Sequence, residues 1–245
     1  MIKFGTGGFR AIIGDDFTKA NVELLAQGLV NKMKVEKVED SPLIIGYDRR
    51  FLSDIAAKWI SGVFAANGIH VQFIDQEAPT PLIMFTVKQT GAKYGMAITA
   101  SHNPAEYNGV KVFTEGGRDA SKEVTNELED YINSLTAADV ATMDFEEAKK
   151  AGLVEIIDPM NDYIDSILSF VDIDKIKAKK LKILLDPMFG VSKTSLQTIL
   201  LTCRCDVDVI NDRHDTLFGG RLPSPSAKTL TRLSTMVVEG GYDLG

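Results

Sequence analysis

Cysteine is almost absent from this 245-residue chain: Cys203 and Cys205, one residue apart, are the only two. Such a pair cannot build a disulfide framework, and a reducing, cytoplasmic setting follows. A metal reading of the pair needs further ligands; the chain has three histidines, and His214 alone is too little for a tetrahedral set. Long apolar runs are missing as well. No stretch approaches the ~20 residues that span a bilayer, and Met1-Ile2-Lys3-Phe4-Gly5 holds no apolar core of a signal peptide. Nor is positive charge in excess. Lys and Arg number 27 against 34 Asp and Glu, a formal net charge of −7, which argues against a nucleic-acid surface and for simple solubility.

What remains is an ordinary globular composition long enough for one large or two smaller α/β domains. Strand and helix signals alternate from residue 41 onward. Residues 43–47 form a short apolar run ending at Asp48. Ser53 reads as the N-cap of a helix through Asn67 that Gly68 closes. Residues 69–74 alternate as a strand, Thr80-Pro81 supplies an N-cap and an N1 proline for a helix ending near Gly91, and residues 94–99 are the next strand. An earlier helix runs over about 18–34, with Val22, Leu25, Leu29 and Met33 on one face; residues 121–135 read as another.

After Asp158-Pro159 the pattern repeats: a strand at 181–185 ending in Asp186-Pro187, a helix over 190–201, a strand at 207–210 and a helix over 225–239. Tyr242-Asp243-Leu244 reads as the entry to a further strand, which predicts a piece of a longer protein. The expected fold class is α/β: two consecutive domains, 1–150 and 151–245, with mixed, mainly parallel sheets flanked by helices and the second truncated. In open sheets of this kind ligands gather beyond the carboxyl ends of the strands. Asp48 and Ser101 fall there.

Ser101 stands in the most informative stretch, Thr99-Ala100-Ser101-His102-Asn103-Pro104, with Tyr107-Asn108-Gly109-Val110-Lys111 behind it. A hydroxyl, an imidazole, an amide, a turn proline and a lysine crowd one strand-to-loop junction, the set that holding and moving a phosphoryl group uses. A serine hydrolase is the competing chemistry. It needs a separate, carboxylate-oriented histidine, for which only His70 and His214 are available, and the G-x-S-x-G elbow is absent. Asn108-Gly109 reads as a tight turn folding a strand that starts at Val110 back beside Ser101. Lys111 is then either a solvated strand lysine or an amine that neutralises phosphate or moves a proton.

Three further segments stay open on the residues alone. Gly5-Thr6-Gly7-Gly8-Phe9-Arg10 is a loose N-terminus or an anion-approaching loop with a bidentate arginine. Asp48-Arg49-Arg50 is a salt-linked loop or a support for the site. The loop from Phe218 to Pro225, carrying Arg221, is a structural turn or faces a ligand.

Taken together, these segments resemble the α-D-phosphohexomutases, the phosphoglucomutase/phosphomannomutase superfamily, over essentially the whole chain. The T-A-S-H-N-P segment followed by Y-N-G-x-K carries the resemblance. It implies a phosphoserine at Ser101 that donates its phosphoryl group to a hexose phosphate, glucose or mannose first, through a sugar bisphosphate. It further implies Mg²⁺ on the phosphoserine oxygen, Lys111 and His102 handling protons, and Arg10 holding the phosphoserine. Thr6, Gly7, Asn103 and Arg221 become substrate or phosphate contacts. Hexose phosphate and bisphosphate are then the partners, with neither nucleic acid nor membrane. The family's aspartate-rich metal loop and its last two domains have no counterpart here, which predicts negligible turnover for the chain alone. The alternative is a phosphosugar- or phosphate-binding module without catalysis, or a bare folding unit.

Overall fold

The computed structural model describes residues 2–5 and 8–245; Thr6 and Gly7 lie outside the described residues. The chain divides into two compact units: residues 1–100 with 106–158, and residues 101–105 with 159–245.

The first unit is a seven-stranded mixed sheet with helices on both faces. Its strands are β1 (Phe9–Ile12), β2 (Leu43–Tyr47), β3 (Val71–Glu77), β4 (Tyr94–Ile98), β5 (Tyr107–Thr114), β6 (Arg118–Asp119) and β7 (Val154–Ile157), in the order β1-β5-β4-β2-β3-β7 with β6 on β5. β2, β3, β4 and β7 run parallel, whereas β5 is antiparallel to β4 and to β1. The helices are α1 (Lys19–Glu36), α2 (Ser53–Ala66), α3 (Thr80–Thr90), α4 (Lys122–Asn133) and α5 (Phe145–Lys150).

Burial on both faces explains why β2 and β4 read as continuous apolar runs instead of alternating. Leu43 and Ile45 share a core with α1 and α2. On the opposite face a Cβ on Gly46 would stand 2.8 Å from Ile83, and one on Gly95 2.4 Å from Val87, so both glycines let α3 lie close to the sheet. The two crossovers run in opposite directions along the sheet, β2 to β3 through α2 and β3 back past β2 to β4 through α3. Each must be right-handed, so the helices take opposite faces.

The first unit continues past the boundary expected at residue 150, because β7 pairs with β3 from Val71↔Val154 to Ile74↔Ile157. The 136–150 connection forms a short 3₁₀ turn and α5, whose Phe145 packs edge-on against Phe73 at 4.9 Å.

The second unit holds α6 (Met160–Leu168), α7 (Ile173–Lys179), β8 (Lys182–Leu185), α8 (Lys193–Thr202), β9 (Asp206–Val209) and α9 (Thr231–Glu239). β8 and β9 are parallel, and Leu244 bridges Ile183 in parallel, so the strand entry expected at 242–244 does lie beside β8. Ile183, Cys203 and Cys205 form its small core; both cysteines are buried free thiols, and burial pushes the Cys205 thiol up. The last helix starts at Thr231, not near Pro225. Arg221 to Leu230 instead forms bends and turns, with Thr229 tied to Ser224 and Ser226. Among the described residues no helix is long and apolar enough to cross a membrane.

Candidate functional site

β4 ends at Ile98, paired with Val110, and the backbone N–H of Thr99 donates to the carbonyl of Gly109 at 3.0 Å. Thr99 and Ala100 are buried; Ser101 and His102, the next two residues, are exposed. Ser101 has φ +57°, a left-handed backbone that serine rarely adopts and that costs of order 1–3 kcal/mol. This turns the chain outward at the sheet's carboxyl edge. Ser101 Oγ stands 3.3 Å from His102 Nδ1. Asn103 and Pro104 follow in the same half-buried turn.

Lys111 sits within β5 opposite Ala97, not at a strand's start. Its side chain is 18% exposed and its Nζ lies 3.3 Å from Asp119 Oδ1. Gly8 passes directly above it: a Cβ there would stand 2.7 Å from the Val110 carbonyl and 3.2 Å from Lys111 Cγ. Arg10 belongs to β1, a strand whose sequence also reads as a loose loop. It pairs with Gly109, whose missing Cβ would be 2.3 Å from the Phe9 carbonyl, 2.9 Å from that of Thr99 and 3.1 Å from Arg10 Cγ. Gly109 thus allows β1, β5 and the end of β4 to converge. Asn108-Gly109 is therefore strand, not the expected turn: both lie inside β5, and residues 99–106 make the reversal.

Beneath these residues lies a polar network that the sequence only half announces. Asp48 Oδ1 accepts from the Arg50 N–H (2.9 Å) and from Ser53 Oγ (2.8 Å). Ser53 is the first residue of α2 and not its cap, a position that Leu52 occupies with φ +65°. Asn108, fully buried, donates to the Phe51 carbonyl and to Ser53 Oγ, each at 3.0 Å, and accepts from the Gly109 N–H at 2.8 Å. Arg50 donates to the Tyr107 carbonyl at 2.9 Å. The 48–53 loop is thereby fastened to the first residues of β5. Asn108 stands between Tyr107 and Gly109, a turn-like setting that gives no local signal of its burial.

Burial pushes the Asp48 carboxyl above its ordinary range, against hydrogen bonds from Thr99, the Arg50 N–H and Ser53 and the charge of Arg50. Burial lowers Arg50; Asp48 opposes that shift and the neighbouring Arg10 charge adds to it. Arg49 reaches Glu77 instead, Nε to Oε2 at 3.5 Å.

Arg221 belongs to the second unit. Its Nη1 donates to the Thr229 carbonyl at 3.2 Å, its guanidinium lies 5.7 Å from the centroid of Phe189, and it lines a cleft of about 430 Å³. Of the expected site residues, Arg10 and Lys111 are held on adjacent strands and Ser101 and His102 share one turn; Thr6 and Gly7 lie outside the described residues. Among the described residues no three His, Cys, Asp or Glu side chains converge on a metal position. Ser101 would offer one oxygen to a Mg²⁺ that takes six, so these residues do not make a magnesium site by themselves.

An α/β sheet with an exposed, left-handed serine just past the carboxyl end of a parallel strand is the class of protein the geometry defines. Comparison with known proteins refines it. The phosphoglucomutase/phosphomannomutase α/β/α domain I matches residues 1–139 and domain II residues 161–245, and the chain belongs to that family. It is 33% identical to a phosphoglucosamine/phosphogalactosamine mutase of Sulfurisphaera tokodaii over 99% of this chain and 51% of that protein. It is 31% identical to a phosphoglucomutase of Staphylococcus saprophyticus over 82% of this chain and 37% of that protein. A crystal structure from Thermus thermophilus, provisionally named a phosphomannomutase, superposes with a TM-score of 0.85 at 28% identity, covering 96% of this chain and 52% of the other. The chain spans about half the length of the curated relatives it matches.

Proposed function

We propose that this chain is the phosphoserine-bearing N-terminal portion of a mutase that interconverts the 1- and 6-phosphates of a hexose. Glucose and mannose are the first substrates to test. The names of its relatives extend the class to hexosamine phosphates. The observation that carries the reading is Ser101: exposed, held in a left-handed turn beyond β4, with an imidazole nitrogen 3.3 Å from its oxygen.

In the first half-reaction the Oγ–P bond of phosphoserine breaks as a hydroxyl of the hexose monophosphate forms a new O–P bond, giving a bisphosphate. The hydroxyl's proton passes to a base, Lys111 Nζ or the His102 ring, while Ser101 leaves as the alkoxide or alcohol. In the second half-reaction Ser101 Oγ attacks the other phosphorus, its proton leaves by the same groups, and the sugar oxygen is released as the isomeric monophosphate. Phosphoryl transfer of this kind is helped chiefly by positioning and charge neutralisation. Arg10 supplies a fixed cation on β1, and Thr6, Gly7, Asn103 and Arg221 contact phosphate or sugar. The cytoplasmic setting and the lack of turnover by the chain alone belong to the same reading.

The test is made in the longer protein that carries this chain. Ser101→Ala should abolish conversion of glucose 1-phosphate to glucose 6-phosphate, and full activity of that variant would remove the phosphoserine from the scheme.

A further inference from the structure

The second unit gathers cations in one place, beyond the charge that nearby carboxylates neutralise. Arg213, Arg221 and Arg232 all line the cleft of about 430 Å³, and Asp212 is the only carboxylate among its lining residues. Asp212 is itself paired with Lys193. Arg213 pairs with Asp215 at 3.1 Å but keeps 74% of its side chain exposed. Arg221 and Arg232 contact uncharged oxygens, the Thr229 carbonyl at 3.2 Å and Asn211 Oδ1 at 3.3 Å, and make no ion pair among the described residues. The cleft therefore carries a surplus of positive charge on guanidinium forks, which fit phosphate oxygens in bidentate fashion.

The groups come from four segments. Phe189 follows β8, Asn211 to Arg213 follow β9, Arg221 lies on the following loop and Arg232 in the first turn of α9, a turn without acidic residues. This is the carboxyl end of the β8–β9 pair, where α/β sheets collect ligands. The Phe189 ring anchors two of the forks, with the Arg213 and Arg221 guanidiniums each 5.7 Å from its centroid. Gly219 touches the same ring: a Cβ there would stand 2.6 Å from Phe189 Cε2.

Strain concentrates at the same spot. Met188, Phe189, Asn211 and Phe218 all have left-handed backbone, with φ of +52°, +62°, +54° and +52°. Asparagine accepts that conformation readily; the other three do not. They are held there by Phe189 N–H to the Asn211 carbonyl at 2.7 Å, and by Asp186 accepting from the Met188 N–H and from Asn211 Nδ2, each at 2.8 Å. Backbone strain held in place by surrounding bonds is a feature of ligand clamps, and here it borders a charged cleft.

We infer that this cleft binds the phosphate dianion of a phosphomonoester through Arg213, Arg221 and Arg232. With Asp215 on Arg213 and Lys193 on Asp212, the four cations face two carboxylates, and the volume leaves room for a sugar-sized group beside the phosphate. The inference rests on the proposed function only in its use of Arg221, and it holds whether or not Ser101 carries phosphate.

The experiment is an amide NMR titration of the ¹⁵N-labelled 245-residue chain at low ionic strength, where exposed charges are least screened. Inorganic phosphate, hexose 6-phosphate and the unphosphorylated hexose are added in turn. Saturable shifts at Arg213, Gly219 and Gly220 with both phosphates, and none with the free hexose, are expected. Arg213→Gln and Arg232→Gln should each weaken phosphate binding about tenfold or more, and Arg213→Lys should not restore it. The inference is overturned by an absence of saturable shifts at these amides in the unmodified chain. It is equally overturned by an equal response to the free hexose, or by unchanged binding in a folded double variant. Absence of phosphate on Ser101 in the intact mass would count against the phosphoserine reading and leave this one standing.

Discussion

In the first unit Leu43, Ile45, Phe64, Phe73 and Ile98 are wholly shielded from water and β4 is buried from end to end. In the second, β9 alternates exposed with half-buried residues, α9 buries none, and Phe170 and Val238 stand 87% and 79% exposed. Backbone strain has the reverse distribution. Lys37 and Leu52 are the left-handed non-glycine residues of the first unit; Ser101, Lys180, Met188, Phe189, Arg204, Asn211 and Phe218 belong to the second. Deep two-sided packing makes a frame that needs little local distortion, whereas Ser101 and the turns holding Met188, Phe189 and Phe218 are kept off their preferred geometry. Deep packing and backbone strain thus sit on different residues. Arg10 and Lys111 lie on strands of the frame, and Ser101 lies beyond it.

The comparison is tested most severely at a candidate site residue that lies on the frame itself. Lys111→Met in the longer protein should lower mutase turnover by at least about a hundredfold while circular dichroism and the melting temperature stay close to the parent. Unchanged kinetics would make Lys111 a merely structural strand lysine. Next in size, Phe64→Ala should cost about 3–5 kcal/mol in denaturant unfolding. Val238→Ala in the second unit should stay within about 0.5 kcal/mol. Similar losses at the two positions would contradict the contrast in packing. Gly109→Ala should destabilise by about 1–3 kcal/mol, since its Cβ would meet the Phe9 and Thr99 carbonyls. A neutral result would mean that β1, β5 and β4 converge less tightly than described.

The smallest effect separates two carboxyls by sign. Burial raises Asp48 above its ordinary 3.8, so the folded state retains its proton longer than the unfolded chain. Its contribution to stability is full below 3.8 and lost as pH rises through the folded value. Asp215 is depressed, first by the Leu217 N–H and also by Arg213 and Gly219. Its contribution is present above 3.8 and lost as pH falls through the folded value. Carboxyl NMR titration should show Asp48 releasing its proton at higher pH than Asp215; the opposite order would refute the assignment of causes.

Much of this is legible in the sequence because it depends on neighbours along the chain. The helix expected over 18–34 appears as α1 with Thr18 accepting from the Asn21 N–H; Pro81 lies in the first turn of α3 but one position later than expected, because Pro79 and not Thr80 is the N-cap. The strand-to-loop position of Ser101 is readable from the apolar run before it. What escapes depends on distant partners. β1 is a strand because β5 lies beside it, and no local propensity in Gly8-Phe9-Arg10 announces that pairing. Asn108-Gly109 has turn chemistry, yet burial of the amide against Phe51 and Ser53 overrides it. The arginine cleft draws on four separate segments, and the sequence singles out only Arg221 among its residues.

The central claim is tested most directly by locating phosphorus. The longer protein is incubated with hexose 1,6-bisphosphate, digested, and its peptides are mapped by mass spectrometry. The account predicts one phosphate, on Ser101, with hexose monophosphate released in equal amount. Phosphate on another hydroxyl, or bisphosphate consumed with Ser101 unmodified throughout, would contradict it.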